Sequence, residues 1–556
     1  MVTSGQTGHP RRWAILGVLI LALFGITLDN TVLTVALPTL ARDLSASTSQ
    51  LQWMVDAYIL VFAGLLLVAG ALSDRFGRRL VLVAGLGLFG LGSALAPFVN
   101  GAEQLIFLRG FMGLGAALAM PSTLSIVADV FAADERPKAI AVWSGVSALG
   151  FVVGPIAGGI LLERFAWPAV FIVNIPFALI GIAATLLVVP ESKAPGRVPL
   201  DPIGALISVV GLVALVYGII EGPSQGWSSP QIVGSLTMAA VLAIVFVVWE
   251  RHLERPMLDV NLFRDRRFSA ASISVTLSFF ALTGVLFFIT LYLQEVRGLS
   301  ALDTGIRFIA IALGIVIASP VSVRLTTRHG ARLVTALGLA LVAAAMGLVA
   351  TIGVATGDMQ IVAIIFVGAL GMGLSMTPAT DAILGALPAE KFGVGSAVND
   401  TTRQVGSALG IAILGSVFAS SFAEHMTTLA SELPADTANV VRDSFAGAAA
   451  VAAQVGGPQG QAILSTAKSA FVDAMSVTSL IGVGFAVAGV VVALRFLPDR
   501  AGPRRTPDEA AVPRERGRHP VALTRIAPQR DPRSPRPKRG GGQRQPHGRG
   551  LSGLAQ

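Results

Sequence analysis

About fourteen runs of roughly 20 apolar residues, each long enough to cross a bilayer as a helix, leave this chain few ways to fold. Between lipid tails no water is available to backbone groups. Every amide and carbonyl must therefore bond within its own segment, and the runs can only be helices packed side by side. They fall near residues 13–37, 51–72, 80–99, 104–127, 139–161, 169–189, 203–220, 231–249, 268–292, 304–325, 332–353, 360–386, 399–421 and 472–496. Composition agrees: 53% of 556 residues are hydrophobic and 13% charged, with a mean hydropathy of +0.73, so the chain is an all-α polytopic membrane protein. Its first run, after Arg11-Arg12, is too long for a signal peptide and lacks a small-residue cleavage site, so it reads as an uncleaved span.

Orientation follows from basic residues. Arg11, Arg12, Arg75, Arg78, Arg79, Arg136, Lys138, Lys193, Arg197, Arg251, Arg255, Arg264, Arg266, Arg267, Arg328, Arg332 and Lys391 fall in alternate loops, whereas the other loops hold only Arg42, Arg164, Arg297, Arg442 and Lys468. Because cytoplasmic loops carry the Lys/Arg excess, both termini are expected inside.

A repeat is visible as well. Arg75-Phe76-Gly77-Arg78-Arg79 follows span two, and Arg328-His329-Gly330-Ala331-Arg332 follows span ten in the same setting, as parallel repeated halves would place them. The expected division is a six-helix half over 1–200, two inserted helices over 201–250, and a second six-helix half over 251–497. Within the last, about 423–471 is too polar to span and is expected to be a partly helical external loop. Residues 498–556, rich in Pro, Gly and Arg, have the composition of a disordered basic tail. Much of the net charge of +9 sits there, so it points to anionic lipid and not to nucleic acid.

Four groups of residues carry chemistry. Asp29 lies inside the first span, where a carboxylate is costly unless it faces the bundle interior or a water-filled cavity. An Asp that merely hydrogen-bonds across helices is the plainer alternative. Arg109, five residues into span four, lies roughly 8 Å deep, and Asp29 lies about 24 Å from the opposite end of span one, so the two can meet. An Arg favours the charged carboxylate and burial the neutral one, and that opposition is one way to poise a proton site. Asp56, at similar depth in span two, is a candidate third member, and Asp381 in span twelve a candidate cation contact. Gly70-Ala71-Leu72-Ser73-Asp74-Arg75-Phe76-Gly77-Arg78-Arg79 makes a tight turn in which Gly77 is free to take positive φ and Asp74 can pair with Arg78. In span five, Gly150, Gly154 and Gly158 make one smooth face, followed by Gly159, and Pro155 bends the helix. A stretch from Gly393 to Gly410, with Asn399, Arg403 and Gln404, opens span thirteen.

The Gly70 to Arg79 loop resembles the signature loop of the major facilitator superfamily, in which the Asp and Arg form a latch worked during alternating access. The order Gly154-Pro155-x-x-Gly158-Gly159 resembles the antiporter motif of its drug exporters. With Leu28-Asp29-Asn30-Thr31 and the span-thirteen motif, the chain to about Pro498 resembles the fourteen-helix drug:proton antiporter branch. Two departures stand out. The family often has Gln after the fourth-span Arg, where this chain has Gly110, and its Trp-Arg-Trp before span six reads Trp167-Pro168-Ala169, with Phe171, Asn174 and Pro176 retained. The first bears on proton coupling, the second on the outer edge. The resemblance implies a proton-driven exporter of hydrophobic, often cationic, drugs or of a toxic metabolite, acting as a monomer in the cell membrane. A nutrient symporter is disfavoured by the Gly154-Pro155 motif, and a transport-inactive sensor by the presence of Asp29, Asp74 and Arg109.

Enzyme-like strings fall away. Gly85-Leu86-Gly87-Leu88-Phe89-Gly90 fits a dinucleotide fingerprint but lies inside a span with no preceding strand. No Gly-Lys pair occurs, so a Walker loop is absent. Cys is absent too, which removes thiolate nucleophiles and thiolate metal sites; no metal or organic cofactor is expected. Since the tail has little apolar surface to pack, a chain ended after Pro498 is expected to export as the full chain does. Loss of export at normal membrane abundance would refute this.

Overall fold

The computed structural model describes residues 8–132, 135–193, 200–253, 256, 258–385 and 392–497. The expected tail over 498–556, together with Arg197, Arg255 and Lys391, lies outside the described residues.

The described chain is helical almost throughout. Helices α1 (Arg12–Asp43), α2 (Thr48–Phe76), α3 (Arg78–Leu95), α4 (Ala102–Val130), α5 (Arg136–Arg164), the short α6 (Ala169–Ile172) and α7 (Asn174–Val188) form the first half. Two inserted helices follow, α8 (Pro202–Gln225) and α9 (Pro230–His252). The second half comprises α10 (Arg266–Leu291), the short α11 (Ala301–Arg307), α12 (Ile309–Val349), α13 (Asp358–Gly385) and α14 (Phe392–His425). It closes with α15 (Thr427–Ala430), α16 (Ala435–Asp443), α17 (Phe445–Val455) and α18 (Gly457–Phe496). Twelve segments among the described residues are long and apolar enough to cross a membrane. One of them, Ala301–Val349, is bent at Gly330 (φ 84°) into two limbs, and α5 is a further 29-residue helix; split and counted in that way, the long helices number fourteen.

The expected external loop is mostly helix: α15 to α17 fill it, and α18 begins at Gly457, well before the expected start at 472. Its Ala-rich stretch, α17, is apolar and of high helix propensity but only 11 residues long, too short to span.

The repeat is geometric. Ser47 caps α2 by accepting from the Gln50 amide, and Ser300 caps α11 by accepting from that of Asp303. Gly77 joins α2 to α3 at φ 125°, and Gly330 joins the limbs of α12 at φ 84°, conformations costly for any residue with a Cβ. Ser47 to Ser300, Gly77 to Gly330 and Gly85 to Gly338 span the same interval of sequence. The last pair does the same work in each half. A Cβ on Gly85 would stand 2.6 Å from the Gly115 carbonyl oxygen and one on Gly115 2.7 Å from that of Gly85; Gly338 and Gly371 stand in the same reciprocal relation at 2.6 Å. In lipid, where apolar side chains gain nothing by leaving the hydrocarbon, such backbone contact supplies the dispersion that holds helices together. Gly85 and Gly90 of the false dinucleotide string serve here as packing.

Hydrogen bonds join the halves at the end away from the Arg75–Arg79 turn. Gln294 Nε2 donates to the Val35 carbonyl at 2.9 Å, Gln52 Nε2 to that of Ile411 at 3.3 Å, and Thr48 Oγ1 to that of Asp443 at 3.2 Å. At the same end Gly159 of α5 leaves no room for a Cβ beside Leu302, and Gly305 of α11 none beside Pro155. Helix α8 packs on both α2 and α14, so the inserted pair bridges the halves.

Gly115→Leu should force α3 from α4 and cost about 1–3 kcal/mol, read as a lower thermal unfolding midpoint in detergent. Gly347→Ala, whose new Cβ meets only Val483 Cγ2 at 4.0 Å, should leave it unchanged. Equal midpoints for Gly115→Leu and wild type would refute the packing account.

Candidate functional site

Five helices of the first half deliver polar atoms to one buried point. Asp29 of α1 is 2% exposed and Arg109 of α4 is fully buried, with Asp29 Oδ2 and Arg109 Nη1 2.5 Å apart. The other carboxylate oxygen accepts from Asn174 Nδ2 of α7 at 2.7 Å, and the same amide lies 3.3 Å from Ser93 Oγ of α3. Arg109 Nε donates to the Met54 carbonyl of α2 at 3.0 Å, and its guanidinium lies 4.3 Å from the centre of the Tyr58 ring. Tyr58 in turn accepts at its hydroxyl from Asn30 Nδ2 at 3.3 Å. Small residues permit this convergence: a Cβ on Gly113 would strike the backbone of Tyr58, so α2 and α4 touch where Arg109 reaches Met54.

The expected meeting of Asp29 and Arg109 is therefore found. Asp56 corrects the expectation: it is fully buried, but it lies on the opposite side of α2 from Met54 and Tyr58, and neither of its oxygens has a partner. A residue two positions along a helix is turned by about 200° from its neighbour, so an equal depth did not place it in the cluster. It shares the face of Gln52, one turn away, which looks toward α14, with α8 on the other flank. Asn174 corrects the expectation too. Its motif was confined to the outer edge, yet Asn174 is the second ligand of Asp29. Tyr58 carried no signal beyond being an aromatic in a span, and the Met54 carbonyl none at all.

Other expected residues fall elsewhere. Asp381 is exposed, 23 residues beyond Asp358 and so about 34 Å along α13, away from the cluster. The turn behaves as its residues suggest and reaches further. Arg78 donates through Nε and Nη2 to Asp74 Oδ1 at 3.0 and 2.9 Å and lies 3.5 Å from Asp129 of α4. Arg79 lies 3.7 Å from Glu191, beyond α7, while a Cβ on Gly77 would meet that Glu191 carboxylate. Gly70 faces Pro121 of α4, and Arg75 lies over the Phe76 ring. In α5, Gly150, Gly154 and Gly158 face Thr27, Thr31 and Val32 of α1, and Thr31 Oγ1 donates to the Gly150 carbonyl at 3.1 Å. Pro155 and Gly159 face the second half. In α14, Asn399 accepts from Thr380 at 3.2 Å, and Arg403 lies 3.5 Å from Asp400 and 4.8 Å from the centre of the Phe279 ring. Gln404 is half-buried. Glu221 accepts from Trp53 at 3.1 Å and so ties α8 to α2.

The second half has an apolar counterpart at the equivalent place. At the repeat interval, Asp29, Tyr58 and Ser93 correspond to Leu282, Ile311 and Met346, and the Gly115–Gly371 match puts Ile365 where Arg109 stands. These four residues line one cavity of about 40 Å³ between α10, α12 and α13.

The chain is similar to known proteins over most of its length. The family model described as Major Facilitator Superfamily matches residues 19–411. The chain is 35% identical over 492 residues to the multidrug efflux pump LfrA of Mycolicibacterium smegmatis, covering 88% of this chain and 97% of that one. It is 31% identical to the tetracenomycin C resistance and export protein of Streptomyces glaucescens, covering 92% and 96%. Among solved structures, a bacterial homologue of the human lysosomal transporter Spinster, in an inward-facing and unoccupied conformation, superposes with a TM-score of 0.65 at 17% identity, covering 89% and 99%.

Removing one partner of a buried ion pair strands the other. Arg109→Met should cost about 3–5 kcal/mol, and the double variant Asp29→Asn/Arg109→Met should recover much of that loss in thermal unfolding. A double variant no more stable than Arg109→Met would show that the pair is not what Arg109 stabilises.

Proposed function

The chain belongs to the Major Facilitator Superfamily, and we propose that within it the protein is a proton-coupled exporter of hydrophobic, often cationic, drugs or antibiotics across the cell membrane. The observation that carries this reading is the Asp29 carboxylate held between Arg109 and Asn174 inside the first half. Relatives that pump out toxic compounds support the substrate class. We take the protein to be a transporter and not an enzyme, working as a monomer without a cofactor, in contact with lipid and with both termini in the cytoplasm.

In that orientation the end where the halves meet is the outer one, so this arrangement is closed outside. Arg109 also holds the Met54 carbonyl and the Tyr58 ring, so its place does not depend on Asp29 alone. The outer seam between α2 and α14 holds Asp56. Among the described residues no hydrogen-bond donor reaches its oxygens. Parting the seam would bring water to Asp56, which ties its hydration to outward opening. Asp74, Arg75, Arg78 and Arg79, with Gly70 and Gly77, latch the inner ends of α2, α3 and α4, and the span-five glycines let α5 slide on α1. At the inner end Asp381 meets incoming cations, beside the Asn399, Arg403 and Gln404 segment.

Asp29→Asn should abolish uphill ethidium efflux while the protein stays folded, and wild-type efflux with the pH gradient intact would show the carboxylate to be structural. Arg109→Lys keeps the charge but loses the planar fork, so impaired transport is expected. Asp381→Asn should slow cationic substrates and spare neutral ones. Reporter fusions after Pro498 and near Ala450 should report opposite sides of the membrane, and the same side for both would overturn the orientation.

A further inference from the structure

A groove of about 520 Å³ opens between α14, α18 and the turn that joins the inserted helices, away from the Asp29 cluster and on different helices from it. Ser416, Ser420 and Glu424 of α14 line it, recurring every fourth residue and so forming one polar stripe on a membrane helix. Ser416 is buried; Glu424, eight residues later and about 12 Å further along the helix, is exposed. Neither these serines nor Glu424 has a hydrogen-bond or ion-pair partner among the described residues. His425, also on the lining, is engaged through Nδ1 with the Ser421 carbonyl at 2.7 Å. Trp227 closes the groove from the inserted pair, its ring held against Gly222, where an added Cβ would stand 2.7 Å from it. Val477 supplies an apolar wall.

Ser416, buried on a spanning helix, is a polar group that gains from a ligand, while the exposed Ser420 and Glu424 are open to one. An unpaired carboxylate, an indole face and hydroxyl acceptors share one preference, which is positive charge on an apolar body. The volume lies in the range that holds a drug-sized molecule. We propose that this groove is a second binding site, which takes lipophilic monovalent organic cations at the outer side of the membrane. The charge lies toward Glu424 and Trp227 and the apolar body toward Val477. This rests on the exporter reading for its orientation, in which the groove is where a released cation is held before it leaves the protein.

Binding of tetraphenylphosphonium to the full chain in detergent, read by calorimetry, tests it. The Asp29→Asn protein, with its central carboxylate removed, should keep a binding event that Glu424→Gln weakens about tenfold and Trp227→Ala by a similar factor. Trp227→Phe and Glu424→Asp should each retain most of it. An uncharged lipophile of the same size should bind equally with and without Glu424→Gln. Unchanged tetraphenylphosphonium affinity in Asp29→Asn/Glu424→Gln would overturn the site, leaving Trp227 as an interfacial anchor and Glu424 as a solvated charge. Failure of the wild type to export ethidium while the Glu424-dependent binding persists would sink the exporter reading and not the site.

Discussion

The buried contact of Asp29 with Arg109 sets the terms for the first half. Neither charge can be left alone away from water, and an Arg has five donors to place. Satisfying both draws α1, α2, α3, α4 and α7 to one point, which their side chains would otherwise hold apart. Gly113 lets α2 reach α4, Gly115 and Gly85 let α3 reach α4, and Gly150 and Gly154 let α5 press on α1 behind the carboxylate. The glycines and the charges are thus one design. Backbones that touch give the ion pair a rigid cage, and the ion pair gives helices in lipid a reason to converge that hydrophobicity cannot supply.

Duplication makes this more telling. The same caps, the same positive-φ glycine and the same reciprocal glycine contact recur in the second half, so its helices cross in the same way. Yet Leu282, Ile311, Met346 and Ile365 stand where the first half has its polar groups. One scaffold therefore carries two chemistries, a buried ion pair in one half and an apolar wall in the other. The inserted α8 binds both halves along one seam through Trp53–Glu221 on α2 and contacts with α14, while small residues of α5 and α11 close the other. Asp56 lies in the first seam. It is fully buried there, and neither of its oxygens has a hydrogen-bond partner among the described residues.

Much of this was open to reading from the amino acids alone. Spanning helices follow from apolar runs because lipid forbids any other backbone arrangement, and the basic turns at Gly77 and Gly330 announce the repeat because only glycine sits there without strain. Asp29 and Arg109 were legible for the same energetic reason, since a charge at that depth must find its opposite. The resemblance to the family was carried by the glycines and Pro155, whose spacing helix contact sets.

What remained for the tertiary structure to decide was direction. Depth along a helix is read by counting, but azimuth against neighbours depends on how five helices cross. Asp56 therefore faces away from the cluster that its depth suggested, and Asn174 reaches into it from a motif read as peripheral. How far helix extends in the expected partly helical loop after α14 was likewise hidden, because hydropathy reports burial in lipid and not local propensity. The sequence by itself determined which elements cross the membrane and which charges must be paired. Only the packed helices decided which side chains meet, because contact depends on crossing angle and rotation, and no single helix contains that information.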